Sequence, residues 1–215
     1  MDPKYGIHYK VQPEPMDPAA CTSFDAGAVQ LILEYRSLDP ESLARSYADR
    51  PEDLAEILRL SPEGGFTDAG VSIHVVAAKD GHEYLRFDVF KGDPHYHYVH
   101  PTNDCNHWVP FDPIAGGDMF TFAMTCLRER LDPLIERHDE RGRFVGPDDP
   151  GRVRIERDDE RQRHALACLT NHALDDLQMA AVQAVEIPER HDRRTIPEVR
   201  GITGKSDDAH RQGQA

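Results

Sequence analysis

Residues 93–100 read Asp-Pro-His-Tyr-His-Tyr-Val-His, which places His95, His97 and His100 within one short stretch of an acidic chain. Imidazoles at that density can hold a divalent ion or move protons, provided that a carboxylate stands close by. A His-x-His pair on a strand is more often an outer polar face than a ligand pair, so the elements that carry the neighbouring residues decide its meaning.

Residues 71–78 (VSIHVVAA), 84–91 (YLRFDVFK) and 95–100 (HYHYVH) are β-branched or aromatic and are separated by turn residues, which predicts three antiparallel strands. A fourth short strand follows at 107–111. Because side chains alternate across a strand, the pairing register decides which residues meet. A three-residue loop at Asp80-Gly81-His82 sets Ala77 against Leu85, Val75 against Phe87 and Ile73 against Val89, which makes one face wholly apolar. That register puts His74 beside Asp88. A two-residue Gly92-Asp93 loop then puts Asp88 opposite His97 and Phe90 opposite His95. His74, Asp88 and His97 become a row across three strands, with His95 and Arg86 at its rim.

Two imidazoles and a carboxylate on neighbouring strands suit Zn, Fe(II) or Mn with open positions for water or substrate. The metal ligands expected are therefore His74, Asp88, His97 and His95, and the catalytic side chains Asp88, His97 and Arg86. Without a metal the same residues form an acid–base cluster, with Asp88 orienting His97. His100 falls on the tyrosine side of its strand. Cys105 and His107 are weaker candidates for loop ligands, and His164 and His172 read as helix-surface residues.

Around this sheet the sequence predicts helices. Residues 26–37 carry Val29, Ile32 and Leu33 at near-helical spacing, while Asp39-Pro40 and Pro51 each open a further short helix. Longer helices are expected over 118–137, with a kink at Asp132-Pro133, and over 160–185. The fold class is α+β: an antiparallel β-meander of three to four strands, packed on one face by two long helices. Its other face, with the histidine row, is left open by these helices, and Phe90 and Val76 on it argue for partial cover by the N-terminal arm, a substrate or a second subunit. Residues 1–24 read as an extended arm, 25–187 as a single domain and 188–215 as a disordered tail.

The formal net charge of −14 argues against nucleic acid, whose affinity comes mainly from neutralised phosphates. No apolar run is long enough for a membrane span, the first residues lack signal-peptide character, and four scattered cysteines fit a reducing cytoplasm. Two function classes result. One is a small metal-dependent cytoplasmic enzyme acting on a small molecule. The other is a non-catalytic accessory subunit or homodimeric module that associates through the same sheet face.

Overall fold

The computed structural model describes residues 6–61, 65–100, 105–137 and 172–184. Seven antiparallel strands form one sheet: β1 (Ile7–Tyr9), β2 (Cys21–Ala26), β3 (Val29–Leu38), β4 (Asp68–Ala77), β5 (Glu83–Phe90), β6 (His95–His100) and β7 (Cys105–Pro110). Their order is β1-β7-β6-β5-β4-β3-β2. Among the described residues six α-helices and a short 3-10 helix (Pro18–Ala20) accompany the sheet: α1 (Pro40–Ser46), α2 (Pro51–Leu60), α3 (Pro113–Gly116), α4 (Met119–Glu129), α5 (Leu131–Ile135) and α6 over residues 172–184.

The expected meander of three to four strands with two long helices is therefore corrected to a seven-stranded sheet with mostly short helices. The largest departure is at 26–37, which forms no helix. Ala26 pairs with Val29 across a tight Gly27-Ala28 turn, and the chain runs on as β3. Gly27 sits at φ +80°, a region open to glycine at little cost, and its N–H donates to the Asp25 carboxylate at 2.8 Å. Val29, Leu31 and Leu33 are buried at a period of two, so the apolar residues satisfy strand alternation as well as helix spacing. Between β2 and β4, β3 gains two ladders of backbone hydrogen bonds, and this tertiary context decides the outcome.

The helix expected over 118–137 is divided between α4 and α5. Of the one expected over 160–185, α6 covers 172–184, and 160–171 lie outside the described residues, as do His164 and the expected tail at 188–215. Residues 7–9 and 21–24, read as an extended arm, belong to β1 and β2. The turns at Asp39-Pro40 and Pro51 do open α1 and α2, and Asp39 caps α1 by accepting from Ser42 N–H at 2.7 Å.

The sheet has two dissimilar faces. Leu31, Leu33, Ile73, Val75, Leu85 and Phe87 are buried against Ala123, Leu127 and Ile135 of α4 and α5 and Leu174 and Leu177 of α6. Ile73→Val removes one methylene from this layer and should cost about 1 kcal/mol in urea unfolding. A cost near zero would mean that the helices do not close over Ile73. The other face, on which Phe90 and Val76 argued for partial cover by the N-terminal arm, a substrate or a second subunit, is covered by the chain itself. Residues 11–14, α1, α2 and residues 66–68 arch over it and line a half-open cavity of about 590 Å³.

Both hairpin registers also differ from expectation, each by two residues. Val75 faces Leu85, Ile73 faces Phe87, Ser72 faces Asp88 and His74 faces Arg86. In the second hairpin Asp88 faces His95 and Arg86 faces His97. A slip of two keeps every side chain on its expected face while changing its neighbours.

Candidate metal centre in a covered cavity

The cavity floor is the polar face of β3 to β7. Ser72, His74, Arg86, Asp88, His95, His97 and Asn106 are all buried there, and Asp88 is only 2 % exposed. Burial of so many polar groups is costly unless each is matched, so their partners carry the meaning.

Asp88 is the centre of one group. One of its oxygens, Oδ2, lies 3.2 Å from His95 Nε2 and 3.1 Å from His97 Nε2. Its other oxygen accepts from the Ser72 hydroxyl. The ligand atoms of Asp88, His95 and His97 all lie within 4.8 Å of one another. Ligands on an ion with bonds of about 2.0–2.2 Å sit about 2.8–3.6 Å apart at tetrahedral to octahedral angles. The two distances to Oδ2 fall in that range, so this buried group could hold a metal ion.

The far edge of each ring is held as well. His95 Nδ1 lies 2.6 Å from the Asp93 carbonyl, which can only accept, so that nitrogen carries a proton. His97 Nδ1 lies 2.9 Å from Asn106 Oδ1, and the Asn106 amide is oriented by its N–H, which donates to the Val11 carbonyl at 2.7 Å. His97 Nδ1 therefore donates too. In their neutral forms both rings turn an Nε2 lone pair toward the same carboxylate oxygen. Three ligand atoms converge, an arrangement that a metal ion or a shared proton would satisfy.

Electrostatics agree. Burial pushes the Asp88 carboxyl up, but the hydrogen bonds from His95 and His97 outweigh it and hold the group well below the usual carboxylate range. Burial pulls His95 down, and its hydrogen bond to Asp88 more than reverses this, so its pKa is raised. For His97 burial wins, aided by the neighbouring charges of His95 and Arg86, and its pKa is lowered.

His74 stands apart from this group. Its Nε2 lies 3.1 Å from Glu34 Oε2 and its Nδ1 2.6 Å from Glu83 Oε1, so both ring nitrogens are engaged by carboxylates outside the Asp88 group. Arg86, expected to be catalytic, is gripped by Glu83 through two bonds of 2.8 and 2.9 Å and donates to the Glu14 carbonyl at 2.9 Å. It buttresses the floor rather than reaching into the cavity as an unmatched charge. Glu83 reaches this face because the β4–β5 register shifts between Val75 and Val76, leaving Tyr84 as an extra residue. Strand bulges of this kind re-aim side chains. Without the shift, alternation would turn Glu83 toward the helices.

Cys105 and His107, considered as ligands, alternate to the other face of β7. There His107 Nδ1 lies 2.8 Å from His100 Nε2, and its ring packs 4.8 Å from that of His8. His172 is exposed on α6. Sequence reading placed Asn106 only in a polar cluster with Asp104, Cys105 and His107, and missed Ser72, Glu83 and Glu34. Alternation along β7 is the signal that could have found Asn106, which shares a face with Trp108. Asn106→Leu should preserve the fold while freeing the His97 ring, and should weaken metal affinity by about 10–100-fold in a competition titration. Unchanged affinity would show that His97 is not a ligand.

Among the described residues no helix is long and apolar enough to cross a membrane. No curated protein and no solved structure matches the chain. One family does match, over residues 23–144, a span that takes in β3 to β7 with Asp88, His95, His97 and Asn106. That is more than half of the sequence, and the chain belongs to this family, which is described as a domain of unknown function, DUF7700.

Proposed function

We propose that Asp88, His95 and His97 bind one divalent metal ion, Zn, Fe(II) or Mn, and that the protein is a metal-dependent enzyme acting on a small molecule admitted to the cavity. The observation that carries this reading is the locking of both imidazoles. Backbone carbonyls, directly for His95 and through Asn106 for His97, hold each Nδ1 protonated and aim each Nε2 at Asp88 Oδ2. Outer partners of this type are what metal-ligating histidines characteristically have. Three protein ligands leave positions for water and substrate, as catalytic sites require and closed structural sites do not.

Association through this sheet face, the alternative reading, fits less well. The arm, α1 and α2 already cover the face, and the side chains that a partner would meet are inside the cavity.

The test is a Co(II) titration of chelator-treated protein. Trp108 is the single tryptophan, and its ring is 5.2 Å from that of His95, so a bound paramagnetic ion should quench its fluorescence at one equivalent. Neutral imidazole added at pH 8 should then shift the cobalt visible bands by entering an open position. Absence of saturable binding by Co, Zn, Fe or Mn would remove the metal reading. Binding without a band shift would make the ion structural and favour the non-catalytic class.

A further inference from the structure

The cavity has a chemistry of its own. Five aromatic side chains, Tyr9, Tyr47, Phe66, Phe90 and Trp108, line it together with aliphatic groups of the arm, α1 and α2. Its volume of about 590 Å³ suits a small ligand, since such pockets run roughly 300–1,000 Å³ and are mostly apolar with a few convergent polar groups. The convergent polar groups are those of the metal centre.

We propose that the cavity takes a neutral aromatic molecule with one hydroxyl or carbonyl oxygen, the rings lying among the aromatic side chains and the oxygen turned toward Asp88, His95 and His97. The second half of this statement rests on the metal reading, and the first half does not.

Charge selects against an anionic ligand. The lining holds two guanidinium groups, and each is already matched by carboxylates. Arg36 pairs with Glu14 and lies 3.7 Å from Glu34, while Arg86 pairs with Glu83. Asp68 and Asp93 add further negative charge to the same wall, with Asp68 accepting backbone N–H groups from Gly92 and Asp93. A carboxylate or phosphate entering here loses its hydration and finds no cationic side chain in the lining that is not already paired, and the bound ion is itself partly offset by Asp88, so the buried charge is poorly matched. A cationic ligand avoids that repulsion but meets the bound ion. A neutral ring system escapes both penalties and gains from apolar burial and stacking.

Isothermal titration with three probes of one ring size tests this: 2-naphthol, 2-naphthoate and 2-naphthylmethylamine, each added to zinc-loaded and to metal-free protein. On zinc-loaded protein naphthol should bind at least about ten-fold more tightly than either charged probe, a factor worth about 1.4 kcal/mol. Equal or tighter binding of naphthoate or the amine would overturn the proposal, as would no binding by any probe. Glu14→Gln removes one counter-charge from Arg36 and should narrow the gap between naphthoate and naphthol. If that variant does not fold, the comparison on the unaltered protein still decides. The two readings fail separately. A protein that takes up no zinc yet prefers naphthol loses the metal centre and keeps the neutral cavity, whereas one that takes up zinc but prefers naphthoate does the reverse.

Discussion

Asp88→Asn should abolish stoichiometric metal binding, with affinity lowered by well over the roughly 10–100-fold that loss of an outer partner costs. The substitution keeps shape and removes charge. The amide oxygen it introduces can still accept from Ser72, and the amide N–H can donate to an imidazole lone pair, so the hydrogen bonds of the metal-free floor survive. The metal-free variant should therefore melt within a few degrees of the metal-free parent. The difference appears on adding zinc. Saturating the parent at about 100 times its Kd should stabilise it by about 2.7 kcal/mol, while the variant should not respond. Metal content of the purified proteins gives a second readout. A variant that retains one equivalent of zinc would show that Asp88 is not a ligand, and the centre as described would be wrong.

Glu83→Gln should be the more damaging change to the fold. Glu83 is a shared counter-ion, accepting two bonds from Arg86 and one from His74 across the β4–β5 bulge. Breaking a buried pair from one side leaves an uncompensated charge and costs about 3–5 kcal/mol. The low end is expected, because Asp88 and Glu34 still act on Arg86. For a chain of this size each kcal/mol moves the melting temperature by about 2–4 °C, so a fall of roughly 6–12 °C should be seen without added metal. The pH dependence has a definite sign. Burial alone would raise the Glu83 carboxyl, but Arg86 and His74 hold it far below the usual range. A depressed folded pKa means stability that is fully present above the unfolded value of about 4.3 and is lost as pH falls toward the folded one. Acid unfolding of the parent should thus steepen below about pH 4, and the variant should lose that component. Equal acid profiles for the two proteins would show that Glu83 is not the counter-ion described.

The sequence by itself determined which side chains share a face. Alternation in VSIHVVAA, YLRFDVFK and HYHYVH puts Ile73, Val75, Leu85 and Phe87 on the side that needs a core, and His74, Arg86, Asp88, His95 and His97 on the other. That assignment survives although both registers differ from expectation, because a period of two is unchanged by a slip of two. For the same reason alternation could not choose between Asp88 facing His97 and Asp88 facing His95. Hairpin loop geometry decided it, and placed Asp88 opposite His95 with His97 on the diagonal. Val29, Ile32 and Leu33 fit a helix, while Val29, Leu31 and Leu33 fit a strand equally well, so Glu34 and Arg36 were invisible as floor residues until β2 and β4 claimed β3. Phe90 and Val76 signalled partial cover of the polar face, but the covering itself was beyond local pattern. It depends on contacts across more than 70 residues, such as Arg86 with the Glu14 carbonyl and Asn106 with that of Val11. Local chemistry chooses the face on which each side chain lies. Only long-range pairing chooses its neighbours, and a metal centre is made of neighbours.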